Sequence, residues 1–185
     1  MGKPKGPARS PSAAPATDER FGAWRAFLFA QATLLSRLDA ELQAESGLTL
    51  AEFDALVQLA LTRDRRLRMS ALADRVLLSR SGVTRLVDRL ERDGWVTRET
   101  CAPDGRGAYA VLTEAGLGRV RTAMPRHLAS VERQFVEPIG DADLAAIGRG
   151  LARVAAANGR SVPSGPLSDE AIARLVGADE AATSA

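Results

Sequence analysis

Between Ser79 and Gly94, in "SRSGVTRLVDRLERDG", the apolar side chains fall at one spacing only: Val83, Leu86, Val87 and Leu90, at i, i+3, i+4 and i+7. That is the period of an α-helix and not of a strand, and it leaves the segment a single face to bury. Burying it forces Arg80, Ser81, Thr84, Arg85, Asp88, Arg89 and Arg92 outward together. Ser79 stands where a helix takes its N-cap, and Gly94 where a helix ends in the left-handed conformation. A second helix over 69–76, with Leu72, Ala73 and Val76 inward, precedes it after a short turn, so the pair reads as a helix-turn-helix.

The flanking sequence supplies the rest of a mainly α fold. Phe21, Trp24, Leu28, Leu35, Leu38 and Leu42 form one stripe on a long helix over about 18–45. "TLAE" at 49–52 is a capping box opening a helix over about 50–61. Residues 62–68, "TRDRRLR", read as a charged connection. After Gly94 the period changes: "WVTRETC" and "AYAVLT" read as strands joined by the turn "APDGRG", a hairpin. Thr113 is placed to cap a helix over about 114–136, in which Pro125 is expected to bend or break the ladder. Asp141 is expected to cap another, with Leu144, Ile147, Leu151 and Val154 on one face. Residues 1–17, rich in Pro, Ala, Ser and Gly with no acid, read as a disordered basic arm, either inert or touching phosphates. The 158–185 tail is mixed; "PLSDEAIARLVG" suggests a short docked helix at 169–176, capped by Ser168 and stapled by Leu167 against Ile172.

Composition narrows the function. One cysteine, Cys101, and one histidine, His127, leave no intrachain disulfide and no basis for a metal cluster, and no cofactor is indicated. They lie on different elements, with no nucleophile–base–orienter set and no glycine-rich phosphate loop, so an enzyme is not the expected reading. No apolar run reaches a membrane span, and the start has no apolar signal region, so a cytoplasmic protein is expected. Net charge is only +2, so any nucleic-acid argument rests on local charge. Residues 61–106 carry eleven arginines against seven acids, which makes this stretch more basic than the whole.

The outward face of the 80–92 helix has the chemistry of a DNA reader. Arginine donates two hydrogen bonds to guanine O6 and N7, Ser and Thr reach bases or phosphates, and a helix N-terminus favours phosphate. Gly82 would let the backbone approach DNA. The same face also allows solvated i+3 and i+4 pairs, Arg85–Asp88, Asp88–Arg92 and Arg89–Asp93, which need no DNA. The hairpin favours DNA: after a helix-turn-helix it has the place of a wing, with Arg106 to enter a narrow minor groove and Asp104 to orient it. One reading helix covers few base pairs, and three apolar stripes exceed what one chain covers, so a homodimer is expected.

On "LTLAEFDALVQLA", "RMSALADRVLLSRSGVTRLVDRLERDGWVTRE" and "APDGRGAYAVLTEAG", residues 20–157 resemble the MarR family of bacterial transcription regulators. The resemblance implies a winged helix-turn-helix plus a helical dimerisation layer. The DNA-binding domain would be 48–113, the dimerisation region 18–47 and 114–157, and the partners a pseudo-palindromic duplex operator and a second copy. Arg80, Ser81, Thr84 and Arg85 would read the major groove, supported by Ser79 and Arg89, with Asp104 and Arg106 at the wing. Wing tips of the family often carry Asp-Arg-Arg, whereas this one is Asp104-Gly105-Arg106-Gly107, which weakens minor-groove binding. The resemblance further implies release by a small aromatic or anionic effector in a crevice between the helices and the DNA-binding lobe. Phe21, Trp24, Phe27, Phe53, Arg119, Arg121 and His127 are the candidates there, although each aromatic also suits ordinary core packing. Peroxide-sensing members keep their reactive cysteine in the first helix, where this chain has none, so Cys101 is not expected to be a redox switch. The alternative is a module that binds DNA without sequence preference, or an architectural one without ligand response.

Overall fold

The computed structural model describes residues 19–76, 78–100 and 107–160, with Ile172 and Leu175 beyond them; the side chains of Glu19, Arg20 and Arg80 lie outside that description. The expected basic arm, Cys101, and the wing-tip residues Asp104 and Arg106 lie outside the described residues. So do the Ser168 cap and the Leu167 staple, while Ile172 and Leu175 are helical and Leu175 is buried in the core.

The elements are α1 (Glu19–Ser46), α2 (Leu50–Ala60), β1 (Arg66–Arg68), α3 (Met69–Arg75), α4 (Arg80–Arg92), β2 (Val96–Thr100), β3 (Ala108–Leu112), α5 (Glu114–Val131), a π-helical segment (Glu132–Val136), α6 (Glu137–Ile139) and α7 (Asp141–Ala157). The capping box forms as its residues dictate: Thr49 Oγ1 accepts from Glu52 N, and Glu52 Oε2 accepts from Thr49 N at 3.0 Å. Ser79 caps α4 and Thr113 caps α5, each accepting from the glycine three residues on. Gly94 takes φ 76°, as the end of α4 requires.

Two expectations are corrected: the charged connection at 62–68 and the cap at Asp141. The charged connection 62–68 contains a third strand: β1 pairs antiparallel with β3, Arg66 opposite Val111, and β3 pairs with β2 on its other side. Arg66 and Arg68 alternate around buried Leu67, a period-2 pattern three residues long that the surrounding arginines hide. Pro125 stands inside α5, where its missing N–H removes one ladder bond without ending the helix; helical backbone continues to Ile139, with a π segment at 132–136. Asp141 is not a cap: Gly140 holds that position at φ 75°, with no side-chain cap bond. The apolar stripe of α1 is, as expected, not covered by the chain itself: Leu38 and Leu42 are buried, while Phe21, Trp24, Phe27, Leu28 and Leu35, and Phe29 beside them, are exposed.

One core runs under α2, α3, α4, the sheet and the first half of α5. Val83, Leu86, Val87 and Leu90 are at most 1% exposed, which locks the rotation of α4. Fully burying four such side chains contributes about 1.5–3 kcal/mol each. The N-terminus of α5 sits on the turn after α4: Thr113 Oγ1 donates to Gly94 O at 2.8 Å, and a Cβ on Gly116 would stand 2.2 Å from Trp95 O. His127 of α5 packs its ring on Phe53 of α2, centroids 4.8 Å apart. Burial lowers the His127 pKa below the ordinary 6.5. α7 packs chiefly on α6, leaving Leu151 and Val154 exposed. Among the described residues no helix is long and apolar enough to cross a membrane.

Gly116→Ala places a methyl against the Trp95 carbonyl, which accepts from Thr113 N–H at 3.1 Å. It is expected to cost about 1–3 kcal/mol in urea unfolding, and an unchanged midpoint would contradict the contact. Because folding holds His127 neutral, its stabilisation is complete above the ordinary imidazole pKa and is lost as pH falls below it. Between about pH 7.5 and 5.5 the native protein should therefore lose stability relative to His127→Gln, by up to about 1.4 kcal/mol per pH unit. Parallel pH curves for the two proteins would show that the ring is not desolvated.

Candidate nucleic-acid interface

α4 is an amphipathic helix whose two faces differ sharply. With its apolar face sealed, Ser81, Thr84, Arg85, Asp88, Arg89 and Arg92 are all exposed on the other. Ser81 lies in the first turn, where the backbone N–H groups have no partner within the helix. Ser79 Oγ is spent on the cap, accepting from Gly82 N at 3.1 Å, and it lies 3.2 Å from Ser81 Oγ. A Cβ on Gly82 would press to 3.2 Å from that capping hydroxyl.

The solvated i+3 and i+4 pairs expected along α4 are not the pairs that form. Arg98 of β2 takes the acids instead, with Nη2 2.6 Å from Asp88 Oδ1 and Nη1 2.8 Å from Glu91 Oε2. It also donates from Nη2 to Thr84 O at 3.1 Å, and its backbone N–H donates to Glu91 Oε1. One arginine thereby rivets the wing strand to the flank of the reading helix. Arg89 turns to α2, its Nε 2.8 Å from Glu52 Oε1. Glu52 is thus both the N3 residue of a capping box and the ion-pair partner of α4. Burial pushes its carboxyl pKa up, but the hydrogen bonds from Arg89 and from the Thr49 backbone outweigh this, and the net shift is downward. With Asp88 and Arg89 engaged elsewhere, Arg85 is left exposed and without an ion pair among the described residues.

An open cleft of about 400 Å³ runs beside α4, lined by Arg68, Met69 and Ser70 on one side, Val83 and Thr84 on the helix, and Gly107 and Ala108 at the wing base. The Arg66 and Arg68 guanidiniums lie 4.1 and 5.3 Å from the Tyr109 ring centroid. Sequence reading missed Arg66, Arg68 and Arg98 as parts of this region. Only the pair of acids three apart on α4, Asp88 and Glu91, with an arginine in the next strand, could have signalled the last.

The aromatic and basic candidates for an effector crevice fall into separate places. Trp24 and Phe27 stack at 5.9 Å on the exposed part of α1, near Phe21 in sequence and away from the core. Phe53 is buried, and it meets His127. Beside His127 a void of about 10 Å³, bounded by Leu38, Glu41, Leu42, Glu45 and Ser130, has room for about one water. Glu41 there accepts from Ser130 Oγ at 2.5 Å and pairs with Arg133 at 2.9 Å; the Ser130 bond leads in holding its carboxyl pKa down. Asp54 of α2 is pushed up by burial, partly offset by its hydrogen bond from Gln58. Arg119 lies instead at the end of α1, donating to Ser46 O with its guanidinium 4.9 Å from the Trp95 ring. Arg121 is half-buried, its Nε without a partner.

The MarR family model matches residues 46–107, from the last residue of α1 to the residue before β3. The fold superimposes on AbsC, a MarR family transcriptional regulator of Streptomyces coelicolor. The two are 37% identical over 77% of this chain and 95% of that one, with a TM-score of 0.72. Sco3205, a MarR family regulator of the same organism solved in complex with DNA, gives 33% identity over 81% and 92% and a TM-score of 0.75. The repressor YetL of Bacillus subtilis is 33% identical over 53% of this chain, which spans 65% of that curated relative. A shared helix-turn-helix, a shared sheet and near-complete coverage of two solved regulators lead to one assignment: this chain is a member of the MarR family of DNA-binding transcriptional regulators.

Proposed function

We propose that the protein is a homodimeric repressor that reads a pseudo-palindromic operator, with α4 of each copy in a major groove. The observation that carries this reading is the outward face of α4, where Ser81, Thr84 and Arg85 stand exposed above a face sealed to within 1%. In this reading Arg85 contacts guanine, Ser81 and Thr84 reach neighbouring bases or phosphate, and Arg80 joins them at the first turn. Ser79 acts by holding the helix start. Arg89 acts from its bridge to Glu52, with its outer N–H groups toward phosphate. Arg106, oriented by Asp104, serves the minor groove. Sco3205 supports the DNA part, since it was solved with DNA, and YetL supports repression by its name.

The dimer is supported by the apolar surface left on one chain: Phe29 is 71% exposed, Trp24 55% and Val154 58%. Side chains of that size, clustered on α1 and α7, mark a protein interface. In this reading residues 18–47 and 114–157 form the dimerisation layer, and 48–113 the DNA-binding domain. A small aromatic or anionic effector would act at the α1–α5 seam beside Phe53 and His127. With a void of only about 10 Å³ there, the helices must part to admit it, and that movement is what would release DNA.

Arg85→Ala should cost about 1–3 kcal/mol on the operator obtained by selection from random duplexes, and relax one base position in each half-site. Equal weakening on every sequence would make Arg85 a phosphate contact, and no enriched palindrome at all would favour a module without sequence preference. Phe29→Glu should convert a dimer to a monomer in sedimentation at low micromolar concentration. A monomeric native protein would remove the dimer from the reading.

A further inference from the structure

We propose that Arg119 is a positioning residue that sets the angle between the α1 layer and the DNA-binding lobe, and through it the half-site spacing the dimer accepts. The inference rests on the dimeric reading above. Three elements meet at this side chain. Arg119 belongs to the second turn of α5, whose first turn is fixed to the DNA-binding lobe by the Thr113 bond to Gly94 O and the contact of Gly116 with Trp95 O. Its Nη2 donates to Ser46 O, in the last turn of α1, and the guanidinium stacks on Trp95, between α4 and β2. α1 has no basic residue in its own last turn, so Arg119 supplies the cation that its C-terminal carbonyls favour. α1 then turns at Gly47, φ 69°, where a Cβ would stand 3.7 Å from the same guanidinium.

Stability alone does not call for an arginine here. Arg119 Nε is buried without a hydrogen-bond partner, and such a group costs free energy that an apolar side chain of equal length would not. What the guanidinium provides is direction. It lies over the Trp95 ring while its Nη2 donates to one carbonyl, Ser46 O, so it ties the end of α1 to the start of the wing. A dimer whose lobes are held in this way tolerates little change in spacing, because each added base pair turns the second half-site by about 35° and moves it about 3.4 Å.

The test uses the full chain and duplexes carrying two selected half-sites at centre-to-centre spacings of about 8 to 13 base pairs, bracketing one helical turn. Arg119→Met keeps the aliphatic stem and removes the guanidinium; Trp95→Phe keeps a ring and shrinks the stacking surface. The native protein should prefer one spacing. Arg119→Met should lower its preference over neighbouring spacings by about tenfold, the worth of a charge-assisted hydrogen bond, with affinity for a single half-site unchanged. Trp95→Phe should fall between the two, and it carries the test alone if Arg119→Met does not fold. A variant as selective as the native protein overturns the inference, as does a loss of half-site affinity equal to the loss on the full operator. A native protein with no preferred spacing overturns the dimeric reading itself, and this inference with it.

Discussion

The burial of one face of α4 is the constraint on which the rest depends. Val83, Leu86, Val87 and Leu90 pack into the same core as Leu56, Leu72, Val96 and Val120, so the rotation of α4 is set by α2, α3, the wing and α5 together. Removing any of the four leucines and valines to Ala opens a cavity at the centre of the lobe, and such changes cost several kcal/mol. The polar face is therefore not free to choose its direction. It is fixed by what lies beneath it, before any partner arrives, and preorganisation of this kind lowers the ordering cost of binding.

Charges complete what the apolar face begins. Arg98 rivets α4 to the wing through Asp88 and Glu91, and Glu52 ties it to α2 through Arg89. These pairs are partly exposed, so each contributes modestly to stability. Their larger effect is selective: they occupy the acids and one of the arginines of α4 and leave Arg85 unpaired among the described residues. Around this lobe the first half of α1 and the outer face of α7 carry large exposed apolar side chains. α5 connects the two, its first turn fixed to Gly94 and Trp95 and its later turns beside α1.

Local rules made the helices and their ends legible. Thr49, Ser79 and Thr113 cap as their positions demand, Gly94 terminates α4, and the period of 83–90 gave the buried face residue by residue. Tertiary competition hid the rest. The i+3 and i+4 rule matched Asp88 with Arg85 or Arg92, whereas Arg98, ten residues on and in a strand, offers two nitrogens to two acids. β1 is too short for its alternation to stand out among arginines. Pro125 lacks an N–H yet lies within a helix packed on α1 and α2, and that packing outweighs one missing ladder bond. Nothing in the sequence around Gly116 signals that Trp95 O lies 2.2 Å from where its Cβ would stand. Residue type alone does not distinguish the effector candidates: Phe53 faces the core while Trp24 faces outward.

The central claim, that α4 presents Arg85 outward for DNA, is tested most directly by arginine-specific modification with phenylglyoxal, read by mass spectrometry with and without the selected duplex. The account predicts that Arg85 reacts readily in the free protein and is protected by the duplex, while the exposed Arg153 of α7 reacts equally in both. An Arg85 that is inert in the free protein, or that reacts to the same extent with the duplex bound, would contradict it.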